Sequence, residues 1–262
     1  MYAFDFVRPK TVADAVKALQ AEDAQALGGG QTLIPTLKQR LAQPSVLVSL
    51  TGIDEMKGVC RDGDVLVIGG GTLHATVARE ARAHYPALAA LAGNIGDPAV
   101  RNRGTIGGSL ANNDPSACYP SAALASGATI VTNSRKIAAD DYFQGMFTTA
   151  LEPGEIITSV RLPIPQKAAY VKFEQPASRF ALVGVFVAKY AGGVRVAVTG
   201  ASNNGVFRWT EAEAALSANF SAGAVKGLKA TAADLIADLH GTAAYRAHLI
   251  GVLTARAVAA AG

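Results

Sequence analysis

The most informative stretch of this chain reads Ile95-Gly96-Asp97-Pro98-Ala99-Val100-Arg101-Asn102-Arg103-Gly104-Thr105-Ile106-Gly107-Gly108-Ser109-Leu110-Ala111-Asn112. It combines a glycine pair, hydroxyl side chains on both sides of that pair, and two arginines upstream that can neutralise phosphate or form surface salt bridges. Glycine lacks a Cβ atom, so Gly107-Gly108 predicts a loop whose backbone takes φ > 0 and approaches a ligand closely. Successive amides in such a loop can bind an anion. The stretch therefore predicts an anion-binding loop.

A second glycine cluster lies far upstream, at Gly28-Gly29-Gly30-Gln31-Thr32. It follows a predicted strand at residues 26–27 and precedes a predicted helix at 33–41, which Thr32 can cap. Backbone donors and the helix dipole favour phosphate at such a helix start. The first 55 residues are therefore predicted to form a small α/β unit, and two amide-rich loops suit a pyrophosphate. For the upstream cluster alone, an ordinary strand–helix turn is an equal alternative.

The composition is that of a globular protein with more than one domain. The 262 residues exceed the usual single-domain length, and 50% of them are hydrophobic. The net charge of +4 comes from scattered Lys and Arg residues, which favours a solvated surface over a nucleic-acid-binding face. No apolar run reaches the roughly 18 residues of a membrane span, and residues 1–20 contain no signal-peptide core. The expected location is the cytoplasm, with soluble partners.

Hydrophobic periodicity and turn signals predict the order of the remaining elements. A capping pattern at Thr11 and Asp14 predicts a helix that begins at residue 12. Turn signals at residues 163–165 predict a boundary, which divides the chain into 1–55, 56–164 and 165–262. Helices are predicted at 73–83, 86–94, 117–126, 210–217, 224–239 and 243–260, and strands at 46–50, 65–68, 128–132, 135–138, 156–162, 170–175, 182–190 and 195–200.

Several common catalytic and nucleotide-binding patterns are missing. The cluster at Gly28-Gly29-Gly30 does not continue as G-x-G-x-x-G, which disfavours a Rossmann nicotinamide site. The segment Gly107-Gly108-Ser109-Leu110-Ala111 misses the G-x-S-x-G nucleophile pattern at its last residue. The four histidines lack metal-ligand spacing and are interpreted as structural. Cys60 and Cys118 are too few for an iron–sulfur cluster, which takes about four thiolates.

Taken together, the glycine segments resemble a known family. Residues 28–35 and 97–109 are similar to the two flavin-binding loops of the FAD-binding medium subunits of molybdenum hydroxylases, of the carbon monoxide dehydrogenase type. The corresponding xanthine dehydrogenase domain is a more distant relative. Residues 149–157, 170–173 and 245–249 resemble further segments of the family, so the resemblance covers nearly the whole chain. The two glycine segments together are a specific signal of this family, whereas either one alone is a weak signal.

The resemblance implies an α+β protein. A two-subdomain FAD-binding domain of the PCMH type would hold the cofactor between its subdomains, and a C-terminal α+β domain with a small antiparallel sheet and helices would follow. The FAD is expected to be non-covalent, because neither glycine segment contains a His or Cys placed for flavin attachment. Molybdopterin and 2Fe-2S clusters are expected only on partners, a molybdenum-binding large subunit and an iron–sulfur small subunit.

Matching by position assigns cofactor contacts to particular residues. The glycine segments would hold the pyrophosphate and adjoining groups, and Asn112 would hydrogen-bond the cofactor. Ile156 and Ile157 would lie near the isoalloxazine ring, and Lys172 would approach the pyrimidine end of the flavin. The implied cofactor-binding residues are Gly28, Gly29, Gly30, Gln31, Thr32, Leu33, Thr105, Ile106, Gly107, Gly108, Ser109, Asn112, Cys118, Ile156, Ile157 and Lys172.

One residue departs from the family's pattern. Cys118 stands where the family usually has an acidic residue, on the helix after the second loop, that accepts hydrogen bonds from cofactor hydroxyls. A thiol is a weak acceptor. Either FAD binds more weakly or another group compensates, and a plain buried helix residue is an equal interpretation of Cys118.

The predicted function is electron relay. A molybdenum subunit would oxidise a small substrate, an iron–sulfur subunit would carry single electrons, and this chain's FAD would pass them to NAD, quinone or oxygen. Two alternatives stay open: a stand-alone FAD-dependent oxidase or dehydrogenase, and a non-redox interaction protein that has lost FAD.

Overall fold

The computed structural model describes residues 1–262, and its first unit is a three-stranded parallel sheet with two helices. The elements are β1 (Asp5–Val7), α1 (Val12–Ala18), β2 (Ala24–Leu27), α2 (Leu33–Lys38) and β3 (Val46–Ser49), with β3 between the other two strands. Thr11 caps α1 as predicted, since its hydroxyl oxygen accepts a hydrogen bond from the N–H of Asp14. Thr32 directly precedes α2, but its side chain makes no capping hydrogen bond. The predicted α/β unit is confirmed.

The second unit is a five-stranded antiparallel sheet covered by helices. A buried core that includes Leu88, Leu91, Tyr119, Ile130 and Val160 lies between the sheet and the helices. The strand order in the sheet is β4-β5-β10-β6-β7. The elements are β4 (Val59–Asp62), β5 (Val65–Gly69), α3 (His74–Glu80), α4 (Pro86–Gly93), α5 (Pro98–Arg101), α6 (Ile106–Asn112), α7 (Tyr119–Ala125), β6 (Thr129–Thr132), β7 (Lys136–Ala138), α8 (Ala139–Tyr142), β8 (Phe143–Gly145), β9 (Thr148–Thr149) and β10 (Ile157–Pro163).

The third unit is a four-stranded antiparallel sheet, in the order β11-β12-β13-β14, with two helices. The elements are β11 (Lys167–Glu174), β12 (Ala181–Tyr190), β13 (Gly193–Thr199), β14 (Phe207–Arg208), α9 (Thr210–Ala218) and α10 (Ala243–Ala261). One face of the sheet packs on α9 and α10, and the other packs on α4 and α7 of the second unit. Strand β12 is therefore buried on both faces, as its run of eight consecutive buried residues shows.

The helix predicted at residues 224–239 is wrong. The structure has a short 3₁₀ helix at Ala222–Val225, followed by turns and extended chain up to residue 242. Gly227 has φ +90°, which ends the helical turn. Leu235 then pairs with Ser202 in an isolated bridge, so tertiary pairing replaces the helical hydrogen bonds. The neighbouring predicted helices are confirmed as α9 and α10.

The three larger sheets support the predicted division of the chain. Each sheet takes all of its strands from one of the ranges 1–55, 56–164 and 165–262, and we propose these ranges as the domains. The structure contains no helix with the length and hydropathy of a membrane span. The overall class is α+β, and the first and second units meet along a wide cleft.

Candidate cofactor-binding cleft

A cleft of about 1470 Å³ runs between the first and second units, and the loop between β11 and β12 forms part of its wall. Both glycine segments line it, although they lie about 75 residues apart in the sequence. Of the sixteen residues implied at the sequence level, fifteen line this one cleft. The exception is Ile106, whose side chain is 1% exposed and packs in the large core.

The first glycine segment presents free backbone donors to the cleft. The N–H groups of all six residues from Gly28 to Leu33 donate to no acceptor within the protein. Gly30 has φ +72°, a conformation that glycine adopts without strain. Unsatisfied N–H groups are costly unless water or a ligand accepts from them. Where such a run lines a cleft, the adjacent N–H groups can bind an anion with several oxygen atoms.

Tight packing fixes the two glycine segments against each other. A Cβ atom on Gly29 would clash with the backbone carbonyl of Arg103. A Cβ atom on Gly28 would lie 3.1 Å from the Thr105 hydroxyl oxygen. Position 29 therefore requires glycine, and position 28 leaves little space for a side chain, because the two segments approach each other closely.

The second glycine segment differs from the predicted loop. Gly107 and Gly108 are not among the residues with positive φ; they lie in the first turn of α6, and Thr105 caps that helix by accepting a hydrogen bond of 3.1 Å from the N–H of Gly108. The N–H of Ile106 donates to Thr72, and that of Gly107 donates to Gly70. These amides are already satisfied, so the prediction of an amide-rich anion loop here is wrong.

The glycine pair has a steric reason instead. A Cβ atom on Gly107 would lie 2.5 Å from the carbonyl oxygen of Gly70, so only glycine lets α6 approach the turn after β5. Gly108 faces the cleft and is exposed. Ser109 and Asn112 also line the cleft, and their side-chain polar atoms make no hydrogen bond within the protein. This helix therefore offers side-chain hydrogen-bonding groups and space rather than free amides.

An ion pair holds the segment before β10. The Glu155 carboxylate accepts hydrogen bonds from the Arg135 guanidinium at 3.0 Å and from the Thr132 and Ser134 hydroxyls. The Arg135 hydrogen bonds lower the pKa of Glu155 to about 2, against the opposing effect of burial. Ile156 and Ile157, which follow in sequence, are 3% and 4% exposed and lie in the cleft wall. The ion pair thus fixes the backbone of this wall.

Lys172 and Cys118 meet in another part of the wall. The Lys172 side chain is 1% exposed, and its Nζ donates to the carbonyl oxygens of Asn94 at 2.6 Å and Arg179 at 2.8 Å. The Cys118 Sγ lies 3.9 Å from the same Nζ. Burial raises the pKa of the Cys118 thiol, so the sulfur is protonated at neutral pH. Lys172 and Cys118, both implied by the family resemblance, therefore place a buried cation beside a neutral thiol.

Sequence reasoning missed two residues of the cleft. The sequence alone favours a structural role for His74, but this residue lines the cleft and its Nδ1 has no hydrogen-bond partner. Burial, followed by the charge of Arg101, lowers the pKa of His74 to about 4, so the imidazole is neutral. Asp114 also lines the cleft, and burial raises its pKa. The only signals in the sequence were that His74 follows the Gly69–Gly71 turn by three residues and that Asp114 lies two residues after α6.

Comparison with known proteins identifies the class to which this cleft belongs. Residues 2–165 match the family model described as the FAD binding domain in molybdopterin dehydrogenase. The chain therefore belongs to the family of FAD-binding medium subunits of the molybdenum hydroxylases, as the sequence resemblance implied. It is an oxidoreductase subunit, and FAD is its cofactor.

Individual relatives are similar to this chain over nearly its whole length. The medium chain of carbon monoxide dehydrogenase from Afipia carboxidovorans is 34% identical, covering 98% of this chain and 96% of its own. The medium subunit of nicotine 6-hydroxylase from Paenarthrobacter nicotinovorans is 34% identical, covering 99% and 98%. Reconstituted CO dehydrogenase from Oligotropha carboxidovorans has a similar fold, with a TM-score of 0.90, 33% identity and coverage of 99% and 98%.

Proposed function

We propose that this chain is the electron-relay subunit of a molybdenum hydroxylase complex. In this proposal it takes electrons from an iron–sulfur subunit and passes them to an external acceptor, while a molybdenum-binding large subunit oxidises the substrate. The relatives are described as medium chains and subunits of dehydrogenases and hydroxylases, which supports a role inside a complex. When bound, FAD supplies the two-electron chemistry, and the protein binds and orients it.

The observation that carries the proposal is the row of six free N–H groups from Gly28 to Leu33. We propose that these amides hold the pyrophosphate, because each oxygen of a phosphate accepts charge-assisted hydrogen bonds. The missing Cβ atoms of Gly28 and Gly29 let the two segments pack together, which holds these amides at the wall of the cleft. The residues present therefore fit a dinucleotide, and the amides rather than a positive side chain provide most of the donors.

The other implied residues have separate proposed roles. Ser109 and Asn112, which have unpartnered side chains, would hydrogen-bond the adjoining groups of the cofactor. The wall at Ile156 and Ile157 would exclude water from the flavin side. Lys172 would place a positive charge near the flavin. Ile106 is left out of the proposed set, because both its side chain and its N–H are occupied within the protein.

Three measurements test this function: release of the cofactor, co-purification with metals, and reduction of the flavin. The protein should be yellow and should release FAD on acid or heat treatment, which would show a non-covalent cofactor. A tagged chain should co-purify with molybdenum and iron from its native host, and its flavin should be reduced on addition of the complex's substrate. A colourless protein that takes up no added FAD would contradict the proposal, and robust substrate oxidation by the pure chain would favour a stand-alone oxidase.

A further inference from the structure

The Lys172 ammonium is a buried cation with no buried carboxylate beside it. Two of its contacts are the neutral carbonyl oxygens of Asn94 and Arg179. The Cys118 thiol, at 3.9 Å, is protonated. The single carboxylate within 4 Å is that of Glu174, at 3.8 Å, and its side chain is 37% exposed, so water screens it.

Cys118 faces the Lys172 ammonium and determines whether it has a buried counter-charge. The thiol is buried at the N-cap of α7 and faces Nζ, with no other residue between the two atoms. An aspartate built on the same Cβ atom would bring a carboxylate against the ammonium, and the two charges would form a buried ion pair. A cysteine leaves the ammonium with Glu174, at 3.8 Å and 37% exposed, as its one carboxylate partner. Whether Lys172 has a buried counter-charge therefore depends on the residue at position 118.

The charge is also held at a fixed place. Asn94 is the C-cap of α4, whose carbonyl end favours a cation, and Arg179 lies in the loop that precedes β12. Lys172 thus ties the second unit to a loop of the third unit across the cleft wall. Because Nζ is bound on two sides, it cannot turn out to water, and its field acts on whatever fills the cleft.

We propose that Lys172, which Cys118 leaves without a buried carboxylate partner, raises the reduction potential of the FAD in this cleft. This inference rests on the proposed function, since it requires FAD to lie there. Uptake of two electrons and one proton leaves the reduced flavin with one negative charge, so a nearby cation stabilises the reduced form relative to the oxidised form. Lys172 supplies the charge, and the neutral thiol of Cys118 does not cancel it.

The test is a spectroelectrochemical titration of the FAD-loaded protein with C118D and C118N variants. The two substitutions add nearly the same bulk and differ in charge. C118D is expected to weaken the preference for reduced FAD about tenfold relative to C118N, which for a two-electron couple lowers the midpoint potential by about 30 mV. C60D, which adds the same charge at an exposed cysteine outside the cleft, is expected to leave the potential unchanged.

A second comparison shows whether the introduced aspartate acts through the lysine. In a K172M background the buried carboxyl group that C118D introduces has no cation beside it and stays protonated, so C118D is expected to shift the potential little. Equal potentials for C118D and C118N in protein that binds FAD normally would overturn the inference and leave the relay function standing. A shift of the same size with and without Lys172 would also overturn it. Loss of FAD binding in the unmodified protein would instead contradict the proposed function.

Discussion

Replacing Gly108 with valine should remove FAD binding while leaving the fold intact. Gly108 lies in the first turn of α6 with a helical backbone, so valine causes no strain from positive φ. A Cβ atom would lie 2.9 Å from the Thr105 hydroxyl oxygen and would displace the capping group. Loss of that cap costs about 1 kcal/mol, and the better helix propensity of valine returns a few tenths of it. The free energy of unfolding should therefore change by less than about 1 kcal/mol.

The effect on FAD binding should be much larger. A Cβ atom on Gly28 would touch the Gly108 Cα at 3.9 Å, so the two glycines are neighbours in the cleft wall. Gly108 is exposed, so a valine side chain there would occupy part of the cleft beside the amides of residues 28–33. If the phosphates are displaced from two amides, the loss at about 1.5–3 kcal/mol for each charge-assisted hydrogen bond weakens binding by roughly a hundredfold or more. Flavin fluorescence titration measures the affinity, and circular dichroism measures folding.

A matched glycine provides the control. Gly93 ends α4, is exposed, and lies outside the cleft, and a Cβ atom there would meet only Ala78 at an ordinary 3.8 Å. G93V should bind FAD like the unmodified protein. A folded G108V protein with unchanged FAD affinity would refute the reasoning, because the phosphates would then lie elsewhere.

Three further predictions concern stability and reactivity. The pKa of Glu155 is lowered to about 2, so its ionised carboxylate contributes stability that is fully present above pH 4.5 and is lost as the pH falls towards 2. The free energy of unfolding, measured in urea, should therefore fall more steeply across this range for the unmodified protein than for E155Q. R246M should lower the free energy of unfolding by about 2–4 kcal/mol, because it leaves the carbonyl oxygens of Leu182 and Gly200 without their buried donor. The pair with Asp238, whose side chain is 36% exposed, adds little. R161M, at the exposed pair with Asp62, should cost about 0–1 kcal/mol, and similar losses for both variants would contradict this. A thiol reagent should label exposed Cys60 in the native protein and reach Cys118 only after denaturation, and equal labelling rates would show that the α7 N-terminus opens to solvent.

Elements with clear hydrophobic periodicity and with turn residues at their ends could be predicted from the sequence. The α/β unit, the helices α3, α4 and α10 and the antiparallel third sheet follow from patterns within single segments. The segment at 224–239 could not be predicted in this way, because its course depends on pairing between Leu235 and Ser202, which are distant in sequence. Tertiary pairing overrode local propensity there.

The candidate site also has features that could be predicted from the sequence and features that could not. The glycine segments could be found because missing Cβ atoms are visible in a sequence. The roles of the two segments could not be distinguished, since only the structure shows that Ile106 and Gly107 donate their N–H groups to Thr72 and Gly70. The buried, unpaired imidazole of His74 was also invisible, because burial and hydrogen bonding depend on the packing around the residue.

Hydrogen exchange of the backbone amides, measured with and without FAD, tests the central claim most directly. Without FAD, the six N–H groups from Gly28 to Leu33 have no acceptor in the protein and should exchange rapidly. With FAD they should become protected, while residues 229–234, whose N–H groups also lack acceptors but lie outside the cleft, should exchange as before. If FAD binds and residues 28–33 exchange at an unchanged rate, these amides do not hold the cofactor and the account of the cleft is wrong.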